Sequence, residues 1–324
     1  MAIPKYKLYI GGKWVSSKNK EAFFSLNPAT EEKIASFEKA TKEDARAAID
    51  AAEDAFHKWQ EVPAPKRAKV LYKAAQIMEA EKERLARVVA TEMGKVLDES
   101  RGDVQEAIDM TYYMAGEGRR LFGYTTTSEL QYKFAMTVRR PIGIVVCISP
   151  WNFPIAIPAW KLMPAIICGN SIVFKPSSDT PLCALELVKI LIRAGLPTGV
   201  VNFVTGSGED VGAELVRNKK VRAVSFTGHR DTGKWIMQNA GIKKVSLELG
   251  SKNAIIVMDD ANLQLAVDGV IWGAYGTTGQ RCTAASRVIV HKAVKKKFEQ
   301  MLLARVKKLK LGAGYQKGID VGPL

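Results

Sequence analysis

From Ile142 to Leu249 the chain repeats one unit: a short apolar run, a turn, then a stretch with helical periodicity. The apolar runs are "IGIVVCIS", "SIVFKPS", "VVNFVTG", "VRAVSFTG" and "KVSLELG". Between them lie "AIPAWKLMPAIICGN", "PLCALELVKILIRAG", "GEDVGAELVRN" and "DTGKWIMQNAG". Short continuous apolar runs suit strands buried on both faces. Strands alternating with helices predict a parallel sheet covered on both sides, the α/β class. Ligands of such sheets sit beyond the carboxyl ends of the strands, so the turns after each run are where chemistry is expected.

The flanking segments read differently. "KLYIGGKWV" and "EKIASF" are two short strands, the first broken by a Gly-Gly turn. "TKEDARAAIDAAEDAFHKW" is an amphipathic helix in which Thr41 can cap, with Asp44 three residues on. Ala45, Ala48, Ile49, Ala52, Phe56 and Trp59 line its apolar face. Further helices follow in "APKRAKVLYKAAQIMEAEKERLARVVATEMGK" and "DESRGDVQEAIDMTYYMAGEGRRL". The β-rich stretch "YTTTSELQYKFAMTVRRP" predicts a hairpin projecting between the helical and α/β parts.

Composition narrows the function classes. The apolar fraction of 47% and charged fraction of 25% suit a globular protein, and no run approaches a membrane span. The N-terminus lacks an apolar signal core, which predicts no secretion. Four cysteines at irregular spacing and three histidines resemble neither a disulfide framework nor a metal site. The expected setting is reducing and cytoplasmic. The net charge of +15 is concentrated most in "HKAVKKKFEQMLLARVKKLKLG", where Val294, Phe298, Met301, Leu302 and Leu309 recur at helical spacing. That is a surface helix with a solvated basic face, without the interleaved aromatics of a nucleic-acid binder.

At the strand ends, "SPWNFP" presents the Asn152 carboxamide, a donor able to face an oxyanion or simply a turn residue. "FKPSS" puts Lys175 where it can reach a ribose or phosphate, or merely solvent. Gly206-Ser207-Gly208-Glu209-Asp210-Val211-Gly212 opens a helix one residue off the dinucleotide fingerprint, a weak signal in the right context. Gly228 and Gly233 repeat the strand–glycine–helix arrangement. Glu248 closes the last run in what reads as an apolar setting, suited to a general base, although such a glutamate is often structural. Cys147, Cys168 and Cys183 lie in apolar patterns and read as core. Cys282, among Gly279, Gln280 and Thr283, has little apolar bulk around it and is the candidate nucleophile.

Together, "PWNFP", "FKPS", "FTG", "LELG" and "GQRCT" in this order resemble the NAD(P)-dependent aldehyde dehydrogenase superfamily, as do "WKLMPAIICGNSIVFKPS" and the early "NPAT". The resemblance covers essentially the whole chain. It implies a Rossmann-like cofactor domain over 1–120 and 141–247, an oligomerisation hairpin over 121–140, and part of a second α/β catalytic domain over 248–324. It implies that the Cys282 thiolate adds to an aldehyde, giving a thiohemiacetal whose oxyanion is held by Asn152 and the Cys282 N–H. Glu248 would then activate the water that hydrolyses a thioester, a base that the CoA-acylating branch lacks. Lys161 falls near the catalytic asparagine.

For the cofactor, NAD or NADP, the implied contacts are Ile148, Ser149, Pro150, Trp151, Lys175, Ser177, Ser178, Gly208, Gly212, Phe226, Thr227, Gly228, His229, Leu249 and Gly250. Ser178 stands where NAD-preferring members often carry a glutamate, which predicts that NADP is accepted; repulsion from Asp179 would act the other way. His229 and Ser251 depart from the serine and glycine usual at their positions. Family members are longer, so the resemblance also implies a C-terminally truncated chain with exposed apolar surface that favours self-association. Two functions follow: an aldehyde-oxidising homo-oligomeric enzyme, or a homologue that binds cofactor or partners with little turnover.

Overall fold

The computed structural model describes residues 3–324. Its N-terminal part has five short strands where the sequence suggested two: β1 (Lys5–Tyr6), β2 (Leu8–Ile10), β3 (Lys13–Val15), β4 (Ala22–Leu26) and β5 (Lys33–Glu38). Gly11 and Gly12 make the β2–β3 turn with φ of 59° and 86°, and a Cβ on Gly12 would lie 2.4 Å from Thr198 Cγ2. Four helices follow: α1 (Lys42–Trp59), α2 (Ala64–Ala80), α3 (Lys82–Glu92) and α4 (Leu97–Glu117). The start of α1 is a capping box: Thr41 Oγ1 accepts from Asp44 N, and Asp44 Oδ2 accepts from Thr41 N at 2.9 Å. The expected apolar face of α1 is buried except at Phe56, which is half-buried.

The hairpin β6 (Thr125–Thr127) and β7 (Phe134–Met136) comes next, exposed at every strand position. The α/β part then runs β8 (Ile144–Ile148), α5 (Ala156–Ile167), β9 (Ser171–Lys175), α6 (Pro181–Arg193) and β10 (Val201–Phe203). It continues through a π-helical turn at Gly208–Gly212, α7 (Ala213–Arg217), β11 (Val221–Gly228), α8 (Arg230–Asn239) and β12 (Lys244–Leu249). The remainder is β13 (Asn253–Val257), α9 (Leu263–Tyr275), a 3-10 turn at Gly276–Gly279, β14 (Ala285–Val290) and α10 (Lys295–Val306).

The central sheet has seven strands in the order β12-β11-β8-β9-β10-β2-β3, parallel from β12 to β10, with the β2–β3 hairpin antiparallel at its edge. The pleat sends alternate residues into two cores. Val145, Cys147, Ile172 and Phe174 enter the cluster built with α2 to α6, while Ile144, Val146 and Val173 join the one built with α1, α7 and α8. Both faces are covered, which is why these strands read as continuous apolar runs. A three-stranded sheet β1-β5-β4 flanks them, and β13–β14 is a separate parallel pair bridged by α9. Its core is small: Val257, Val267, Val270, Ile271 and Phe298, the last from α10, whose lysines remain at the surface. Among the described residues no helix is long and apolar enough to cross a membrane.

Candidate active site

Asn152 lies in the loop between β8 and α5, and that loop is fixed from below. The N-terminus of α5 has no side-chain cap of its own; Asp103 of α4 supplies one, its Oδ1 accepting from Ala156 N at 2.7 Å. Asp103 Oδ2 is 3.0 Å from Lys95 Nζ in an ion pair with both side chains fully buried. Lys95 Nζ also sits 3.8 Å from the centroid of the Phe153 ring. An acid in the buried stripe Val104, Ala107, Ile108, Thr111 and Ala115 of α4 was the signal that sequence reasoning passed over.

The Cys282 loop is clasped at several points. Asn152 Nδ2 donates to Gln280 O at 2.8 Å, two residues before Cys282. Asn253 Nδ2 donates to Cys282 O at 2.7 Å. Arg281 donates to Trp272 O at 2.8 Å and lies 4.4 Å over the Trp272 ring. Thr277 N donates to Glu99 Oε1 of α4 at 2.8 Å. Cys282 alone of the four cysteines is exposed. Burial pushes the Cys147 thiol up to about 12 and raises Cys183 well above its ordinary value, so neither is a nucleophile near neutral pH.

Glu248 corrects one expectation. It is exposed rather than set in apolar surroundings: β12 is an edge strand, paired among the described residues with β11 alone, and the face that carries Glu248 is open. Lys161 of α5 is buried beneath this edge, with Nζ 3.2 Å from Ser225 Oγ. Burial pushes its ammonium pKa down, against the opposing pull of Cys147 and Glu248.

The expected cofactor residues divide into three groups. Ile148, Lys175, Gly208, Gly212 and Phe226 line a groove of about 730 Å³ whose further walls include Val216, Arg217, Trp235 and Ile236. Those walls lie on α7 and α8, where apolar residues read as core. Trp151 and Ser178 instead line a neighbouring depression of about 410 Å³ with Glu92, Asp179 and Gln280. Ser149, Pro150, Ser177, Thr227, Gly228, His229, Leu249 and Gly250 line neither, but follow or end β8, β9, β11 and β12 along one rim of the sheet. His229 caps α8, its Nδ1 accepting from Asp231 N at 3.3 Å.

The groove suits a dinucleotide. A Cβ on Gly208 would meet nothing within 4 Å, so backbone is open to an approaching phosphate. Ser149 Oγ, just past the carboxyl end of β8, is buried and has no hydrogen-bond partner among the described residues. Burial pushes Lys175 down to about 8, with Asp179 opposing, so a nearby anion would favour its charged form.

The aldehyde dehydrogenase family profile matches residues 14–324. The chain belongs to the aldehyde dehydrogenase family. It is 40% identical over 322 residues to the alpha-ketoglutaric semialdehyde dehydrogenase of Bacillus subtilis, covering 98% of this chain and 66% of the relative. It is also 40% identical over 317 residues to an NADP-dependent succinate-semialdehyde dehydrogenase of Escherichia coli, covering 97% and 66%. Among solved structures, a betaine aldehyde dehydrogenase of Staphylococcus aureus in complex with NAD+ superposes with a TM-score of 0.96 at 39% identity, covering 98% of this chain and 64% of that one. The chain thus spans about two thirds of the length of the curated relatives it matches.

Proposed function

We propose that this family member oxidises an aldehyde to a carboxylic acid with NAD or NADP. The observation that carries the reading is the contact of Asn152 Nδ2 with Gln280 O, which sets a carboxamide donor beside the loop of the exposed thiol Cys282. The Cys282 thiolate adds to the aldehyde carbon, and Asn152 N–H together with the Cys282 backbone N–H holds the resulting oxyanion. A bound nicotinamide supplies the hydride acceptor that this oxidation needs. Glu248, exposed at the sheet edge, takes the proton of the water that attacks the Cys282 thioester, and Lys161 beneath it balances its charge.

Residues 1–120 and 141–247 form the cofactor domain in this reading, and 248–324 carry the nucleophile. Lys175 serves the ribose, and Gly208, Gly212 and Ile148 form the bed of the groove. Ser178 carries no charge to repel a 2′-phosphate, so NADP is accepted alongside NAD, with the Asp179 carboxylate, which accepts from Ser177 Oγ at 2.9 Å, acting the other way. The exposed Phe122, Tyr124, Phe134 and Met136 of the hairpin region support a homo-oligomer, and a cytoplasmic setting fits the four unpaired thiols.

The test is a burst experiment with purified chain, excess NAD or NADP, a panel of aldehydes, and absorbance at the reduced-nicotinamide band. A burst stoichiometric with protein and lost in Cys282→Ala is expected, followed by turnover that Glu248→Gln removes. Cofactor binding without a burst favours the alternative, a homologue that binds and does not turn over.

A further inference from the structure

Two acids of α4 lie one helical turn apart and reach different loops. Asp103 takes the Ala156 N–H behind Asn152, and Glu99 takes the Thr277 N–H ahead of Cys282. Residues four apart share one helix face, so a single rigid element sets the spacing of both loops. The Cys282 side needs such a hold. Thr277 and Thr278 both have left-handed backbone, φ 50° and 54°, a conformation that is unfavourable for β-branched residues. Thr277 is buried, and its N–H donates to Glu99 Oε1 at the start of this left-handed pair.

The contacts continue in series toward the reaction centre. Thr277 O accepts from Gln280 N at 2.9 Å, and Gln280 O accepts from Asn152 Nδ2. Cys282 follows two residues later, its own carbonyl held by Asn253. The pinned turn therefore has an anchor at each end, and the anchor on α4 is a side chain the proposed chemistry does not use.

We propose that Glu99 is a positioning residue that holds the Thr277 turn strained and so places Cys282 against the Asn152 donor. This rests on the reading of Cys282 as nucleophile. Without the acceptor, the two threonines relax toward ordinary backbone angles and the loop shifts. A displacement of about 1 Å at a reacting atom is worth on the order of 100-fold in rate.

The experiment compares the parent with Glu99→Ala and Glu99→Gln by burst rate, cofactor affinity, and the rate at which iodoacetamide alkylates Cys282, followed by mass spectrometry. Glu99→Ala is expected to slow the burst roughly 10- to 100-fold while cofactor affinity stays within about twofold. Glu99→Gln, whose amide oxygen accepts the same bond, is expected to recover to within about threefold of the parent. An unslowed burst in Glu99→Ala overturns the proposal. So does equal impairment in both variants, or a loss of cofactor affinity that matches the loss of rate. If the parent itself gives no burst with any aldehyde, the functional reading fails on its own and alkylation decides the positioning. An altered Cys282 rate in Glu99→Ala that Glu99→Gln restores supports it, and equal rates in all three chains overturn it.

Discussion

Strands β8, β9 and β10 are buried at nearly every position, whereas β12, β13 and β14 are exposed or half-exposed along most of their length. The candidate site is assembled from both kinds of surroundings. Asn152 and Lys161 stand on the covered side, on a loop and helix braced by a fully buried ion pair. Cys282 and Glu248 stand on the open side, one just beyond a strained turn and the other on an edge strand. One half of the chemistry is held by packing, and the other by a few directional contacts. A packed group keeps its place through many small terms, while a group held by hydrogen bonds depends on each of them.

The largest effect is expected where the covered side relies on a charge. Asp103→Ala strands the Lys95 ammonium in the core and uncaps α5, and should cost about 3–5 kcal/mol of stability in a urea titration. The loss should appear in the single main transition, because the pair lies in the largest core. A cost under about 1 kcal/mol would mean that the covered side is no more tightly built than the open one.

Phe298→Ala strikes the open side. Phe298 is the one large ring among the five buried residues of the small core, and its truncation costs about 3–5 kcal/mol locally. Hydrogen exchange should then quicken across β13, α9, β14 and α10 while β8 to β10 keep their protection. Uniform loss of protection over the whole chain would break the comparison, since the two regions would then unfold as one unit.

The sequence made the covered side far more legible than the open one. Runs such as "IVVCI" and "IVFK" are apolar throughout because the sheet buries both faces, so their type and order could be read directly. Strand β4, "AFFSL", went unread because exposure alternates along it and its pairing with β5 is a tertiary fact. Glu248 was misjudged for a related reason: its apolar neighbours in sequence say nothing about whether a further strand lies beyond β12. Cys282 and Asn152 were singled out by motif, yet the residues that brace their loops, Lys95, Glu99, Asp103 and Asn253, were not. Each acts across 29 or more residues of sequence or from within an apolar stripe, and a polar residue there carries no local signature.

A smaller effect is expected from pH. Glu92, the last residue of α3, is buried against the start of α6, accepting from Ser25 Oγ at 2.6 Å, Leu182 N at 2.8 Å and Cys183 N at 2.7 Å. Burial outweighs these donors and pushes its carboxyl from 4.5 up to about 7. A raised folded value means that its stabilising contribution is complete below about pH 4.5 and is lost as pH rises through about 7. Glu92→Gln cannot ionise, so its stability should decline less than the parent's between those limits, whatever its absolute value. Parallel stability curves for the two chains would place the pH sensitivity elsewhere, the open side included.

The smallest effect concerns the turn itself. Thr278 takes φ 54° without a side-chain acceptor for its N–H, while its Oγ1 bonds Thr277 O at 2.6 Å. Thr278→Gly removes a left-handed penalty of about 1–2 kcal/mol but loses that bond and adds unfolded-state freedom worth about 0.5–1 kcal/mol. The net change in global stability should therefore stay within about 1 kcal/mol of zero. The turn nevertheless becomes free to adopt other angles, so the Cys282 alkylation rate should move while the melting transition does not. A change in melting with Cys282 reactivity untouched would locate the strain in the fold as a whole. It would also remove the reason for treating the open side as held by single contacts.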